Sequence, residues 1–158
     1  MSRTSAWRID ETAWTAQSLR GEGAARDGGR WNSRGVKVVY ASENLAMAAL
    51  EKYGNLPMPL PAKVEFSPSW FDFDSLRIPD RAGDDPAESW DSLHLGKATQ
   101  RLGDAWVNSA ETAILRVPSA VLKAEANFVL NPSHPDYAKI RVETSKRFDF
   151  PGRRSGCD

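Results

Sequence analysis

The sequence predicts an α+β fold in which helices flank a mainly antiparallel or mixed β-sheet. Three observations carry this prediction. Segments rich in β-branched and aromatic residues, which favour strands, are interleaved with segments rich in alanine and leucine, which favour helices. The two kinds of segment do not follow the regular strand–helix–strand alternation that is typical of a parallel sheet. The 158 residues are 41% hydrophobic, which is enough for one domain with its own core.

The predicted strands share a high content of valine, isoleucine, leucine and aromatic residues. Residues 7–20 are expected to hold a strand or an irregular segment, followed by a short helical turn. Further along the chain, strands are predicted at 36–41 (VKVVYA), 62–66 (AKVEF) and 112–119 (TAILRVPS, ended by Pro118). Residues 126–135 (ANFVLNPSHP) are predicted to be a strand that runs into a proline-rich turn, and a final strand or pair of strands is predicted over 137–150.

The clearest predicted helix covers 43–53 (ENLAMAALEKY), where alanine, leucine and methionine predominate. Ser42 is its expected N-cap, and Gly54 is its expected C-terminal stop. Helical spacing predicts that one face of this helix belongs to the core, namely Leu45, Ala49, Leu50 and Tyr53. A second helix is predicted over 97–107, with Gly103 as its weak point.

Two segments are predicted to be irregular. Paired glycines indicate a loop over 21–29. Proline, aspartate and serine are frequent over 67–90, and long loops of this kind often bind ligands or cover sites. We therefore expect a single domain over 1–150 and a frayed tail over 151–158.

Composition argues against several classes of function. The 21 basic and 21 acidic residues give a net charge of zero, whereas direct nucleic-acid binding usually needs a basic excess. A single cysteine, Cys157, excludes an internal disulfide, and together with two histidines it is too few for a zinc site of nitrogen and sulfur ligands. No apolar run has the length of a membrane helix, and the N-terminus lacks a secretory pattern. A cytoplasmic protein without a bound metal is expected.

Three residues could carry chemistry, although each also has an ordinary structural explanation. Arg30 follows two glycines and could bind phosphate through two parallel hydrogen bonds, or could simply stack on Trp31 at the surface. Tyr40 could stack against a flat heterocycle, or could be a core tyrosine. Glu51 could stabilise an oxocarbenium-like transition state, or could be a solvated helix residue.

A further polar cluster lies downstream. Ser119 follows a proline at a predicted strand end, and the stretch NFVLNPSHP contains Asn127, Asn131 and His134. Asparagine before proline is first of all a turn residue. The sequence gives no convincing serine–histidine–aspartate triad, because such a triad is defined by geometry.

Taken together, these segments resemble the RES domain of bacterial toxin–antitoxin pairs, a family named after an arginine, a glutamate and a serine. The resemblance depends on the order of several pieces, above all GGRWN, then VVY, then AALE. It covers most of the chain outside 54–96, and the matching pieces are LRGEGA (19–24), GGRWNSRG (28–35), VVYASENLAMAALE (38–51), GDAWVNSAETAILRVPSAV (103–121) and NFVLNPSHPDYAKI (127–140).

The resemblance implies a fold similar to that of ADP-ribosyltransferases, in which a split sheet surrounds a cleft for NAD. It also implies a toxin that cleaves NAD as its substrate and arrests growth. Arg30, Tyr40 and Glu51 would take the active-site positions, with Arg30 and Tyr40 also binding substrate. Ser119 and Asn131 would line the same cleft.

The same resemblance implies a partner, an antitoxin with a helix-turn-helix of the Xre type, which would supply any contact with DNA. The acceptor of the ADP-ribosyl group could be water, inorganic phosphate or a protein side chain, and the resemblance favours water or phosphate. Two other functions also stay open. One is a mono-ADP-ribosyltransferase that modifies a cellular protein, and the other is a binding module without catalytic activity.

Overall fold

In the described part of the chain, a six-stranded sheet organises the fold, and every pair of neighbouring strands in it is antiparallel. The computed structural model describes residues 3–54, 64–74, 78–80, 97–145 and 148. The strands lie in the order β4-β5-β2-β1-β3-β6. Their bounds are β1 (Arg3–Glu11), β2 (Val39–Ser42), β3 (Phe66–Asp74), β4 (Ile114–Pro118), β5 (Ala126–Leu130) and β6 (Arg141–Thr144). The predicted α+β fold with an antiparallel sheet is confirmed.

Four α-helices accompany these strands in the described part of the chain. They are α1 (Thr15–Leu19), α2 (Glu22–Asp27), α3 (Leu45–Tyr53) and α4 (Lys97–Ser109), and short 3₁₀ helices cover Thr12–Trp14 and Pro135–Lys139. Helix α3 packs on β1, where Ala48 of the helix contacts Ile9 and Phe66 of the sheet. None of the described helices is long and apolar enough to cross a membrane.

The sheet is nearly divided between its two central strands. Strands β1 and β2 share a single register pair, Trp7 with Ser42. Beyond this pair, the Arg8 guanidinium donates a 2.9 Å hydrogen bond to the carbonyl of Tyr40. Arg8 is itself paired with the nearly buried Asp10, and Ser18 hydrogen-bonds to both. A side-chain network thus joins the two halves where the backbone ladder stops.

The two faces of the sheet carry separate hydrophobic cores. One face holds a cluster in which Phe71, Phe73 and Phe128 are buried, and the Phe73 and Phe128 rings meet edge to face. On the other face, Trp31 and Trp106 pack with buried side chains of β4 and β5. This second face also carries Tyr40, so the turn that contains Trp31 lies over the middle of the sheet.

Several predicted boundaries were wrong. Helix α3 begins two residues later than predicted, because the N-cap is Asn44, whose side chain accepts a 2.8 Å hydrogen bond from the Met47 amide, and not Ser42. The predicted core face of this helix is right in part. Leu45 and Ala49 pack against the core around the buried Ala48, whereas Leu50 is 41% and Tyr53 is 37% exposed.

Other segments differ in type. The predicted loop at 21–29 contains α2, which follows Gly21 in the left-handed conformation. The predicted strand at 62–66 is instead β3, which begins at Phe66 and occupies the first part of the segment predicted to be irregular. Of the predicted final strand, the described residues form β6 and an isolated bridge from Phe148 to Phe66, whereas residues 137–139 lie in a 3₁₀ helix that begins at Pro135. The rest of the 67–90 segment apart from 78–80, the tail 151–158, Cys157 and His94 lie outside the described residues.

Candidate functional site

The carboxylate of Glu51 accepts hydrogen bonds from two side chains that lie far from it in sequence. Its Oε1 atom accepts a 2.6 Å hydrogen bond from the hydroxyl of Ser119 and a 2.7 Å hydrogen bond from the amide of Asn127. Glu51 comes from the last turn of α3, Asn127 from β5, and Ser119 from the residue after β4. The fold therefore brings Glu51 and Ser119 together, 68 residues apart in sequence.

The turn that follows β4 orients Ser119. Its side chain is fully buried, and its hydroxyl oxygen accepts hydrogen bonds from the amides of Val121 and Leu122 at 3.2 and 3.1 Å. Two accepted bonds direct the hydroxyl hydrogen towards Glu51 as its acceptor. The arrangement aims a short hydrogen bond at the carboxylate.

Asn127 is oriented from its other side by Ser42. The hydroxyl of Ser42 donates a 2.9 Å hydrogen bond to Oδ1 of Asn127, which places the donating amide nitrogen on the side of Glu51. Ser42 and Asn127 are direct partners in the pairing of β2 with β5, so their side chains share one face of the sheet. A chain of polar contacts thus runs from β2 to the carboxylate.

Arg30 projects from a tight turn. The amide of Gly29 donates a 2.9 Å hydrogen bond to the carbonyl of Asn32, which leaves Arg30 and Trp31 at the two central positions. Trp31 is buried in the core, whereas Arg30 is partly exposed. The Asn32 amide donates to the carbonyls of Ala24 and Val36, which fixes the turn to neighbouring chain segments.

The hydroxyl of Tyr40 belongs to this turn. It donates a 2.6 Å hydrogen bond to Oδ1 of Asn32 and accepts a 3.0 Å hydrogen bond from the amide of Trp31. Burial raises the pKa of Tyr40, so the phenol stays protonated and can donate. In this structure the hydroxyl is therefore engaged within the protein.

Tyr40 and Ser42 connect the two parts of the site. They are two residues apart on β2, so their side chains lie on the same face of the sheet. Tyr40 holds the turn of Arg30, and Ser42 leads through Asn127 to Glu51. The arginine-bearing turn and the carboxylate therefore lie over the same face of the sheet.

Asn131 has the contacts of a turn residue. It is buried at the end of β5, its Oδ1 accepts a 3.0 Å hydrogen bond from the Ser133 amide, and its side-chain amide donates to the carbonyl of Val107. These contacts tie it to α4, and its role in substrate binding stays a prediction. The predicted roles of Arg30, Tyr40, Glu51 and Ser119 in the reaction also stay predictions.

Several residues of this site were not assigned from the sequence. Asn127 was named as part of the polar stretch NFVLNPSHP, but no role was predicted for it. Ser42 was expected to cap a helix. Arg8, Asp10 and Asn32 were not singled out. Strand alternation could have placed Asn127 on the same face as Val129, but the pairing of β5 with β2 has no local signal. No group of three or more potential metal ligands occurs among the described residues.

The comparisons with known proteins agree with this architecture. The model of the RES domain family matches residues 5–151, so the chain belongs to that family. A protein of Sphingobium sp. named "Prs ADP-ribosylating toxin" is 34% identical over 158 residues, which cover 95% of this chain and 96% of the relative. A "Toxin Res" of Pseudomonas putida is 32% identical over 141 residues, with coverages of 87% and 92%.

The fold is shared with a solved structure. The crystal structure of the M. tuberculosis MbcT–MbcA toxin–antitoxin complex contains a chain that matches with a TM-score of 0.73, at 16% identity. The match covers 91% of this chain and 84% of that one. At this level of identity the likeness establishes the fold.

Proposed function

We propose that this protein is the toxin of a toxin–antitoxin pair and that it cleaves the bond between nicotinamide and ribose in NAD. The observation that carries the proposal is the carboxylate of Glu51, oriented by Ser119 and Asn127 on the same face of the sheet as the turn of Arg30. The family membership and the toxins among its relatives support the same activity.

In the proposed reaction, the bond from the ribose anomeric carbon to the nicotinamide nitrogen breaks, and nicotinamide leaves with the electron pair. Positive charge develops on the ribose, and the Glu51 carboxylate stabilises it electrostatically. An acceptor then forms a bond to the anomeric carbon and loses its proton. Arg30 binds the pyrophosphate and fixes the substrate, and the Tyr40 ring borders the nicotinamide end.

The acceptor divides the proposal into two forms. In the first form water or inorganic phosphate is the acceptor, and the cell is depleted of NAD. The second form is transfer to a protein, which the name of the Sphingobium relative favours, because that protein is described as ADP-ribosylating Prs. Both forms use the same first step, so the same residues would be required.

An assay with radiolabelled NAD and the purified toxin separates the two forms. Free ADP-ribose, or ADP-ribose-1-phosphate when phosphate is supplied, supports depletion. A labelled protein band in a cell extract, or on purified Prs, supports transfer. The wild-type protein should give one of these products, and the absence of any nicotinamide release would contradict the proposal as a whole.

Glu51→Gln tests the assignment of the carboxylate, because it retains the shape of the side chain and removes the charge. We expect nicotinamide release to fall more than a hundredfold, and expression should no longer arrest growth. Glu111→Gln is the matched control, since Glu111 is an exposed glutamate beyond the end of α4. Arrest by a folded Glu51→Gln protein at matched expression would refute the assignment.

The proposal includes a partner in the cytoplasm, an antitoxin of the Xre helix-turn-helix type that blocks the NAD cleft. The structural neighbour was solved with an antitoxin, which supports a partner for this chain as well. Co-expression with the cognate antitoxin of this protein should restore growth, and the purified toxin–antitoxin complex should release no nicotinamide. Restored growth with unchanged turnover in the purified complex would refute the blocking model.

A further inference from the structure

Helix α4 contacts the arginine-bearing turn along one side. Gln100, Gly103 and Asp104 are spaced by three and four residues, so they share one face of α4. All three meet the segment from Gly29 to Ser33, at a sequence distance of about 70 residues.

Two side chains of this helix make four hydrogen bonds, two to the turn and two to Ser33, the residue that follows it. The amide of Gln100 donates to the carbonyls of Gly29 and Asn32 at 3.0 and 3.2 Å. The carboxylate of Asp104 accepts from the amide of Ser33 at 2.9 Å and from its hydroxyl at 2.5 Å. The bonds to Gly29 and Asn32 bracket Arg30, one on each side of the turn.

Between these two side chains, the backbones are in direct contact. A Cβ atom placed on Gly103 would lie 1.7 Å from the carbonyl oxygen of Trp31, so only glycine permits this approach. Trp31 also packs against Trp106 of the same helix. The turn is thus pressed between α4 and the sheet, where Tyr40 holds its opposite side.

We propose that Gln100 and Asp104 are positioning residues that set the affinity for substrate by fixing the direction of Arg30. The proposal rests on the proposed function, in which Arg30 binds the pyrophosphate of NAD. Neither residue needs to touch NAD. Their bonds end on backbone atoms of the turn and on the Ser33 side chain, so their effect on binding must pass through the turn.

The mechanism predicts which kinetic parameter changes. The pyrophosphate is remote from the bond that breaks, so a misplaced Arg30 weakens the ground state and the transition state alike, and KM rises while kcat is retained. We expect Asp104→Ala to raise KM about tenfold, because a small displacement of a phosphate-binding group costs much of its contribution. Gln100→Met, which keeps the length of the side chain but donates no hydrogen bond, should raise KM less.

A double-mutant cycle with Arg30 separates positioning from a general loss of structure. If Asp104 acts through Arg30, Asp104→Ala should have no further effect on kcat/KM in an Arg30→Ala background. Asp104→Asn, which can still accept from the Ser33 amide, should recover part of the affinity. Asn108→Ala, an exposed change on the same helix, is the control and should behave as wild type.

Hydrogen exchange provides a readout that is independent of turnover. Loss of Asp104 should accelerate exchange of the Ser33 amide at least tenfold, while exchange in β5 stays as in wild type. Additive effects of Asp104→Ala and Arg30→Ala, or unchanged exchange at Ser33, would overturn the proposal. If the wild-type protein releases no nicotinamide, the proposed function fails, and the exchange rate at Ser33 still decides whether Asp104 holds the turn.

Discussion

The hydroxyl of Ser119 donates a 2.6 Å hydrogen bond to the carboxylate of Glu51. The serine side chain is fully buried and directly follows β4, whereas Glu51 lies in α3, 68 residues away in sequence. Ser119 also accepts bonds from two backbone amides, so the same hydroxyl closes a turn and orients a carboxylate. Its substitution should therefore affect both stability and catalysis.

Ser119→Ala should lower kcat for nicotinamide release about tenfold to a hundredfold, because a hydrogen bond to a charged group contributes about 1.5–3 kcal/mol. The free energy of unfolding should fall by about 0.5–2 kcal/mol, the usual effect of removing a side chain that caps backbone amides. Steady-state turnover and urea denaturation measure the two effects. Ser133→Ala, at an exposed serine, is the control, and a folded Ser119→Ala protein with wild-type kcat would contradict the prediction.

How far the sequence predicts this site depends on which contacts are local. The turn of Arg30 follows a glycine pair, and the strand of Tyr40 has a clear β-branched pattern, so both were identified. The role of Asn127 depends on the pairing of β2 with β5, about 85 residues apart, and no local pattern specifies a partner strand. Ser42 was misassigned for a different reason, since a serine shortly before a helix resembles an N-cap, whereas Asn44 is the cap in the structure.

The prediction of the fold was also limited where a strand depends on contacts that are distant in sequence. Strand β3 was missed because Pro68 and its neighbouring serines resemble a turn, although the alternation in Phe71–Asp72–Phe73 is a strand pattern. Asp72 is buried in that strand because Arg3, in the neighbouring β1, forms an ion pair with it. The positive charge that compensates the buried Asp72 comes from Arg3, 69 residues away in sequence. The local sequence alone therefore argues against a buried strand around Asp72.

Tyr40→Phe should destabilise the protein by about 1–3 kcal/mol at neutral pH, because it removes the partner of the buried Asn32 side chain and of the Trp31 amide. The ring is retained, so stacking on a substrate would survive. We nevertheless expect KM to rise, since the hydroxyl holds the turn of Arg30. Thermal unfolding and steady-state kinetics check both effects.

The same substitution has a defined pH dependence. Burial raises the pKa of Tyr40 above that of an unfolded tyrosine, which is about 10. The folded state therefore favours the neutral phenol. The contribution of this phenol to the free energy of unfolding is fully present below about pH 10 and is lost as the pH rises towards the pKa of Tyr40 in the folded protein. The stability difference between wild type and Tyr40→Phe should narrow above about pH 10. Comparing the two proteins removes the contributions of Tyr137 and Lys52, whose pKa values burial also shifts. A constant difference up to pH 11 would contradict this account.

Gly103→Ala should destabilise the protein by more than about 3 kcal/mol, the upper end of the effects of overpacking, because the new Cβ would meet the Trp31 carbonyl oxygen at 1.7 Å. Gly23→Ala is the matched control, since Gly23 also lies in a helix but has nothing within 4 Å of the added carbon. It should stabilise the protein by about 0.5–1 kcal/mol, because alanine favours helix more than glycine does. Urea denaturation measures both, and similar values for the two variants would mean that α4 does not press against the turn.

Arg30→Lys should reduce kcat/KM for NAD about tenfold to a hundredfold although the charge is kept. A guanidinium offers a planar fork that matches two phosphate oxygens, whereas an ammonium group is a point charge on a flexible stem. Losing one charge-assisted hydrogen bond costs about 1.5–3 kcal/mol, which corresponds to this range of efficiency. The backbone of the turn is held on three sides, so it cannot move to compensate for the different reach of a lysine side chain.

Arg34→Lys is the control: Arg34 is exposed beyond the turn, so its replacement should have a smaller effect. Steady-state NAD consumption by the two lysine variants decides the matter. If Arg30 only attracts NAD through its charge, Arg30→Lys should match the wild-type efficiency, and raising the salt concentration should weaken both proteins equally.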